Sequence, residues 1–594
     1  MSMVGLGQKE RQALRNRSCH GRGNGNKRCA ASPERAEAHR QAGRSIGPRC
    51  RAVLLCAIGL LVPTVFGQTQ PHLNRPVRGG MPGLPILTGV ELTTNGLRLT
   101  WEGPPGYYRI EYRTDLNGAW RPLGPATHYL RAATITGLTS NAFFRVVGPA
   151  PQYAGAEACA VCHEEIHAQE LQTRHAGALA TLERIGQANN PACLPCHTVG
   201  HGLPTGFVSA TQTPHLGGVQ CESCHGPAAQ HAANETDPVF RPRVELAAQM
   251  CGGCHNQDSH KPHFEQWAES GHALVTEDMN PPGRINSCGR CHSGASRMAL
   301  LRGEDPALTV AGDANQPITC VVCHDPHRKT PHPAQLRNPL VSFVDYSLAP
   351  GDDFGRSYNP DVQICAQCHN QRGATWTSNA RPPHYSPQYN MLLGTAGLWA
   401  GSEAPVPATH ARLEKQCVSC HMVTEGGTDA AHPAFSGHTF AVRSYDGCRS
   451  CHPEPGTLVE FTQLSVALHI QRVKAALDFW AITRAPEPLR KYGSLAWEYA
   501  VPGKLSNPTG VAQVQGPRSS TNPAQDEQRW IPERIRKARF NLYLVVQDGS
   551  YGVHHGPHTA ALLDTALQWV AEELGMTRAA VAAAVKVEDT GNPP

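Results

Sequence analysis

Residues 159–163 of this chain read Cys-Ala-Val-Cys-His, and the pattern Cys-x-x-Cys-His occurs nine times between Cys159 and His452. Every cysteine in that stretch belongs to one of the copies. The motif cysteines are Cys159, Cys162, Cys193, Cys196, Cys221, Cys224, Cys251, Cys254, Cys288, Cys291, Cys320, Cys323, Cys365, Cys368, Cys417, Cys420, Cys448 and Cys451. The histidines that close the motifs are His163, His197, His225, His255, His292, His324, His369, His421 and His452.

This motif is typical of covalent haem attachment. Two thiols separated by two residues can form thioethers with the two vinyl groups of one haem, and the histidine that follows can then bind the iron. Zinc ribbons and disulfides also use such cysteine pairs, but neither requires a histidine after the second cysteine. Because the histidine is present in all nine copies, we predict nine haem c groups, with the motif histidines as proximal iron ligands.

The composition fits a chain packed around haems. The 594 residues are enough for several domains, and 57 glycines and 49 prolines indicate extensive loops. If residues 151–456 hold nine haems, the porphyrins must supply much of the apolar interior that side chains supply elsewhere. We therefore expect short helices and loops in this region.

The basic charge of the chain is confined to its beginning. The formal net charge is +5, but residues 1–67 contain twelve Lys and Arg against three Glu, so the remainder is net negative. Haem propionates would make the folded protein more acidic still. Charge therefore provides no argument for a nucleic-acid partner.

Residues 52–67 form an apolar run preceded by basic residues, with Val65 and Gly67 at the −3 and −1 positions of a cleavage site. This predicts a secretory signal that is cut before Gln68. A membrane anchor is the alternative, but the run is short for a span and contains Pro63. The four remaining cysteines all precede the cleavage site: Cys19, Cys29, Cys50 and Cys56. We expect a periplasmic or extracellular protein without a stable membrane span.

A change of pattern follows the leader. Four runs have strand-like composition or alternate between apolar and polar residues: 97–101, 108–112, 133–135 and 142–147. Asn95-Gly96 and Asn117-Gly118 are turn signals. Residues 82–150 resemble a fibronectin type III domain with one strand missing, which implies a β-sandwich that acts as a spacer or docking module.

Beyond the last motif, apolar residues recur at helical spacing from Phe461 to Trp480, and further helices are predicted from Pro532 to about Val546 and from Pro557 to Gly575. The fold class is therefore multidomain: a small N-terminal β-sandwich, a haem-packed region of short helices and loops, and a C-terminal α-helical bundle. The predicted domains are the leader with signal peptide (1–67), a linker (68–81), the β-sandwich (82–150), the nonahaem region (151–456) and the helical region (457–594).

Residues around the motifs carry a more specific resemblance. The runs CLPCHTVGHGLPTGF from Cys193 and LGGVQCESCHGPAAQH ending at His231 resemble the cytochrome c-554 family of multihaem cytochromes. CAQCHNQRGATW from Cys365, followed by RPPHYSPQYN, is similar to the related superfamily of multihaem nitrite, hydroxylamine and tetrathionate redox proteins. The resemblance implies a periplasmic electron carrier with closely packed haems.

The second axial position of each iron needs another ligand, and residues 153–460 contain fourteen histidines outside the motifs. His175, His272 and His438 lie in family-like contexts, which implies that they are distal ligands. The other candidates are His231, His327, His384, His215 and His554, with His555 as the alternative to the last. His554 and His555 lie in DGSYGVHHGPH, which resembles a C-terminal segment of the nitrite reductase superfamily. Solvated loop histidines are the alternative for each.

The function expected from these features is electron transfer along the haems, between redox partner proteins or toward an external acceptor. The alternative is a reductase or dehydrogenase that acts on a small nitrogen or sulfur compound at one five-coordinate haem. No motif is Cys-x-x-Cys-Lys, the variant that marks the catalytic haem of most nitrite reductases. Bis-histidine ligation leaves no open iron position, so we expect an electron-transfer protein and assign no catalytic residue.

Overall fold

The computed structural model describes residues 85–587 except 116, 127, 137–141, 245, 260, 311, 338–358, 400–407, 428–433, 507–511 and 514–520. The predicted leader, the cleavage site before Gln68 and the linker at 68–81 lie outside the described residues. The chain forms two compact units. The first unit runs to Glu265 and includes Ile318–Gln335, and the second contains Gln266–Pro317 and the chain from Leu336 onward.

The first unit begins with six strands in two small sheets. The strands are β1 (Ile86–Thr93), β2 (Gly96–Glu102), β3 (Arg109–Arg113), β4 (Arg121–Pro122), β5 (Ala132–Ile135) and β6 (Phe143–Val147). One sheet has the order β1-β2-β5 and the other β4-β3-β6, and all neighbours are antiparallel. A two-residue turn joins β1 to β2 at Gly96, whose φ of +138° is accessible to glycine. A Cβ at Gly96 would lie 2.2 Å from the carbonyl oxygen of Ile135.

The two sheets share one apolar cluster. Leu99, Trp101 and Ile135 from the first sheet pack with Ile110 from the second and with Tyr108. These are the inward positions of the alternating pattern, because residues two apart on a strand face the same side. The strands predicted at 97–101, 108–112, 133–135 and 142–147 are therefore present.

The remaining described chain is helical or irregular. The helices are α1 (Ala156–Ala160), α2 (Glu164–Glu170), α3 (Ala178–Arg184), α4 (Leu194–His197), α5 (Cys221–His225), α6 (Ala229–Ala233), α7 (Gln249–Gly252), α8 (His263–Ala268), α9 (Pro282–Ser287), α10 (Gly289–His292), α11 (Gly294–Leu301), α12 (Pro306–Thr309), α13 (Cys320–Cys323), α14 (Pro360–Ala366), α15 (Gln388–Leu393), α16 (Gln416–His421), α17 (Pro455–Arg484), α18 (Glu487–Arg490), α19 (Glu533–Asp548), α20 (Gly556–Leu574) and α21 (Arg578–Ala584). Short 3-10 turns occur at Pro214–Leu216, Pro238–Phe240, Gln257–Ser259, Gly271–Ala273, His410–Arg412, Asp446–Cys448 and Gln528–Trp530. A two-stranded ribbon pairs β7 (Ala512–Gln513) with β8 (Lys586–Val587).

Around the motifs of the first unit, the helices are short and the apolar clusters are small. One cluster consists of Leu179, Leu182, Leu194, Val199, Phe207 and Leu216. Polar contacts supplement it, because the buried carboxylate of Glu222 accepts hydrogen bonds from the backbone N–H groups of Gly155 and Ala228 at 2.8 and 2.7 Å. The motif region of the first unit therefore needs another source of buried apolar surface.

The second unit contains a large apolar core formed by long helices. The helix α17 is 30 residues long and packs against α19 and α20. It begins at Pro455, six residues before the predicted pattern, and α19 extends two residues beyond the predicted Val546. The helix α20 ends at Gly575, where a left-handed φ of +67° stops the helix. Within the described ranges, no helix has an apolar stretch long enough to span a bilayer.

A buried arginine connects the helices to the loop that follows α18. The Nη1 atom of Arg539 on α19 lies 2.8 Å from the backbone oxygens of Trp497 and Glu498 and 2.8 Å from the side-chain oxygen of Gln528. Its guanidinium also stacks 3.9 Å from the ring centre of Tyr499. Arg539 is 0% exposed, so these acceptors have no water to replace it.

We predict that Arg539→Ala lowers the free energy of unfolding of the second unit by about 3 kcal/mol or more, because it leaves buried acceptors without a donor. Arg534→Ala is the matched control, since this arginine on the same helix pairs with Glu572 and is 54% exposed. An exposed pair contributes about 0–1 kcal/mol. Thermal unfolding followed by circular dichroism measures both, and equal shifts in the two variants would contradict the prediction.

Candidate haem sites

Each motif folds as a short helical turn. In six of the nine motifs, the backbone N–H of the histidine donates to the carbonyl of the first cysteine four residues earlier, at 2.8–3.0 Å. Residues three and four apart lie on one face of a helix. The turn therefore presents both thiols and the imidazole to the same side, as attachment to one porphyrin requires. All eighteen motif cysteines are free thiols in the structure.

Motifs that are distant in sequence meet through their thiols. Four contacts join cysteines of different motifs: Cys159 with Cys221, Cys251 with Cys320, Cys291 with Cys368, and Cys365 with Cys417. The first two contacts lie in the first unit and the other two in the second. Attachment positions of different motifs are thus in contact inside each unit. In the thiol form, the hydrogen bond with Cys291 lowers the pKa of Cys368 to about 6.

Six motif histidines face a second histidine. The ring-centre distances are 6.2 Å for His255 and His175, 6.0 Å for His225 and His327, 6.2 Å for His369 and His272, 5.8 Å for His292 and His384, 6.1 Å for His452 and His410, and 6.3 Å for His421 and His554. His255 has a further neighbour, His263, at 5.6 Å.

These distances match the space that one iron needs. A metal bound by two opposed imidazole nitrogens at about 2 Å each separates the two ring centres by about 6 Å. Direct packing of two rings allows shorter separations, down to about 4.5 Å. The donor set at these positions therefore fits a bis-histidine metal centre.

Five of the eight predicted distal candidates belong to these pairs: His175, His272, His327, His384 and His554. The other three candidates, His438, His231 and His215, are not members of these pairs. His438 hydrogen-bonds to the backbone oxygen of Ser436 at 2.9 Å, His231 lies on α6 with a buried Nδ1, and His215 packs on Gly155. His410 and His263 were not predicted, although both are among the fourteen histidines outside the motifs. His410 lies seven residues before Cys417, and this spacing carries no signal by itself.

Hydrogen bonds fix the orientation of many of these rings. The Nδ1 atoms of five histidines lie 2.7–3.2 Å from backbone oxygens: His197 from Ala178, His225 from Arg243, His324 from Ala334, His421 from Phe440 and His410 from Val553. A carbonyl can only accept, so Nδ1 carries the proton in each case. Nε2 is then unprotonated and available to a metal, which is the usual arrangement around metal-bound histidine.

The segment between α19 and α20 and the start of α20 contain three histidines with different contacts: His554, His555 and His558. The Nδ1 of His554 donates to the Asp548 carboxylate at 2.7 Å, which leaves its Nε2 available. His555 caps α20, because its ring accepts a hydrogen bond from the backbone N–H of His558. The Nε2 of His558 is engaged with the backbone oxygen of Ala396 at 2.8 Å. The ring of His554 lies 6.3 Å from the ring of the motif histidine His421.

Burial lowers the pKa of six of the paired rings and so favours their neutral form. The pKa falls to about 4 for His272, His384 and His421, it falls further for His369, and it is also lowered for His175 and His292. Burial also lowers the pKa of His554, but the Asp548 carboxylate outweighs this effect and the net pKa is raised. Neutral imidazole is the form that binds metals, so the buried sites favour the ligating state.

The comparisons with known proteins concern the same motifs. Residues 158–226 and 364–453 match the family model described as cytochrome c554 and c-prime. These two segments contain the first three and the last three motifs.

Several multihaem proteins are similar over part of the chain. The C-type polyheme cytochrome OmcB of Geobacter sulfurreducens (strain DL-1 / KN400) is 27% identical over 244 residues, which cover 36% of this chain and 29% of that protein. The multiheme cytochrome MtrA of Shewanella baltica (strain OS185) is 24% identical over 290 residues, which cover 41% of this chain and 79% of that protein. The crystal structure of the outer cell wall cytochrome OcwA has a TM-score of 0.43 at 18% identity, over 70% of this chain and 99% of that one.

The chain spans less than a third of the length of OmcB. What the comparisons share is the class of cofactor, since the matched family and the named relatives are cytochromes. The nine Cys-x-x-Cys-His motifs, the helical turns that present them and the paired histidines agree with that class. In these motifs and over part of its length, this chain is similar to multihaem c-type cytochromes.

Proposed function

We propose that the mature chain carries nine haem c groups, one at each motif, and conducts electrons along them. The observation that carries this proposal is that six motif histidines each face a second histidine about 6 Å away. A protein that only bound haem covalently would need the cysteines and one histidine per site. A second histidine at this distance supports two imidazole ligands for each of these irons, an arrangement that suits electron transfer.

The proposed ligands follow from the pairs. The motif histidines His163, His197, His225, His255, His292, His324, His369, His421 and His452 are the proximal ligands. The distal ligands are His175 opposite His255, His327 opposite His225, His272 opposite His369, His384 opposite His292, His410 opposite His452 and His554 opposite His421. For the haems at His163, His197 and His324, the candidates from the same unit are His231 and His215, while the candidate His438 belongs to the second unit and is assigned to no haem.

Backbone oxygens and the burial of the rings favour electron transfer at the proposed sites. Haem iron supplies the one-electron redox couple. The backbone oxygens that accept from Nδ1 hold the rings in one tautomer and orientation and make them stronger electron donors. Burial lowers the pKa of six of the paired imidazoles and so favours their neutral form. With two histidines on an iron, a small substrate cannot bind unless it displaces one of them.

Contacts between thiols of different motifs support a route within each unit. In the first unit, the first motif adjoins the third and the fourth adjoins the sixth. In the second unit, the seventh motif adjoins both the fifth and the eighth. Short separations between attachment positions favour hopping from one haem to the next.

The family of the protein, the type of its N-terminal domain and its location are also proposals. The family match at both ends of the motif region supports a relative of the cytochrome c-554 family. The two three-stranded sheets around one apolar cluster support a fibronectin type III-like domain that lacks a strand and serves as a spacer or docking module. The leader supports export with cleavage before Gln68, and the redox partners are then extracytoplasmic proteins or an external acceptor.

The haem count is tested by intact mass. After export with haem maturation, we expect the mature protein to exceed its apo mass by nine haem units. The double variant Cys448→Ala/Cys451→Ala should lose one unit, because no thioether can form at that motif. A stable excess of six or fewer in the unmodified protein would contradict the proposal.

The ligand set is tested at His410. We expect His410→Ala to open one iron, because His452 then has no opposing ring, and one high-spin haem per chain that binds carbon monoxide should appear. His128→Ala is the control, since this ring packs on Trp101 in the β region and should leave all haems low-spin.

Electron paramagnetic resonance of the oxidised protein measures both variants. An unchanged low-spin spectrum of a folded His410→Ala protein would remove His410 from the ligand set. If the unmodified protein already shows a high-spin haem that turns over nitrite or hydroxylamine, the reductase alternative replaces the carrier.

The second-sphere carboxylate gives a third test. Asp548→Asn removes the negative charge next to His554, which makes the imidazole a weaker donor and destabilises the ferric iron. We expect the midpoint potential of one haem to rise in a spectroelectrochemical titration. Asp564→Asn, whose carboxylate is 44% exposed beside Arg578, should leave all potentials unchanged. A potential that falls or stays constant in Asp548→Asn would refute the assignment of His554.

A further inference from the structure

A cavity of about 580 Å³ lies in the first unit, between the β1-β2-β5 sheet and residues 238–243. Its wall includes four arginines and one carboxylate: Arg98, Arg131, Arg241, Arg243 and Glu102. Small-molecule sites have volumes of about 300–1,000 Å³ and a few polar groups that converge. The cavity contains no motif residue and is separate from the proposed ligand set.

The charge in the cavity is unbalanced. Arg243 forms an ion pair with Glu102, and Arg131 donates to the backbone oxygen of Gly103 at 3.1 Å. Within the part of the chain that the structure describes, Arg98 and Arg241 form no ion pair. Among the described residues, the guanidinium groups of Arg98 and Arg241 are thus not paired with carboxylates. The concave shape of the site strengthens the positive electrostatic potential that these groups produce. The site excludes cations and favours a negatively charged ligand.

We propose that this cavity binds a small free oxyanion, with a phosphate or carboxylate group held by Arg98 and Arg241. Guanidinium groups match the geometry of phosphate and carboxylate oxygens and can bind them through two parallel hydrogen bonds. The site accepts the anionic group itself, and the remaining volume accommodates the rest of a small molecule.

The choice of variants follows from a second role of Arg243. Its backbone oxygen accepts the hydrogen bond from the Nδ1 of His225 at 2.8 Å, so the segment that forms one cavity wall also orients a proposed iron ligand. A substitution at Arg243 would change both the charge of the cavity and the segment that orients His225. Arg98→Gln/Arg241→Gln removes the unpaired charges and leaves the acceptor of His225 in place.

The test is isothermal titration calorimetry of the holo-protein at fixed ionic strength, because salt screens such contacts. Inorganic phosphate and citrate are the two probes, which distinguish a phosphate group from a carboxylate group. We expect saturable binding of at least one of them at one site per chain. Arg98→Gln/Arg241→Gln should weaken it by at least about tenfold, because two charge-assisted partners are lost.

Arg113→Gln/Arg145→Gln is the matched control, since both arginines lie on the other sheet against Trp120 and should leave the affinity unchanged. Absence of saturable binding by both probes, or equal loss of affinity in the two double variants, would overturn the proposal.

Discussion

The hydrogen bond from a histidine Nδ1 to a backbone oxygen is the contact that orients five of the rings at the candidate haem sites. It fixes the tautomer, so that Nε2 carries a lone pair, and it fixes the ring plane relative to the chain. Both effects come from backbone geometry, which side-chain substitution leaves largely intact. These rings are therefore positioned by the backbone segments that supply the acceptors.

The two units differ in how they obtain stability. In the second unit, α17, α19 and α20 bury a continuous apolar core that includes Trp480 and Leu544. The motif region of the first unit has only small clusters such as the one around Phe207 and Leu216. Burial of apolar surface is the main favourable contribution to folding. The first unit must thus depend on haem for much of that contribution, while the helices of the second unit can fold against one another.

Local sequence determines the features that could be predicted. The motifs, the alternating strands of the β region and the helices after Pro455 and Pro532 depend on contacts within a few residues, and the structure has them within a few residues of the expected bounds. Ring pairs such as His452 with His410 and His421 with His554 join segments that are 42 and 133 residues apart in sequence. No local pattern specifies which segments meet. The resemblance to known families supplied some distal candidates, and His410 lay in no such context. The arginine cavity was missed for the same reason, because residues 98–131 and 238–243 come together only in the folded unit.

The short segment between α19 and α20 contributes to two sites at once: His554 faces His421, and the backbone oxygen of Val553 orients His410. If the chain is exported as proposed, this segment follows the eighth and ninth motifs into the compartment where haem is attached. The proposed iron sites at those two motifs are then complete only when the segment between α19 and α20 has folded. Their assembly therefore depends on the helical core of the second unit, a part of the chain that carries no motif of its own.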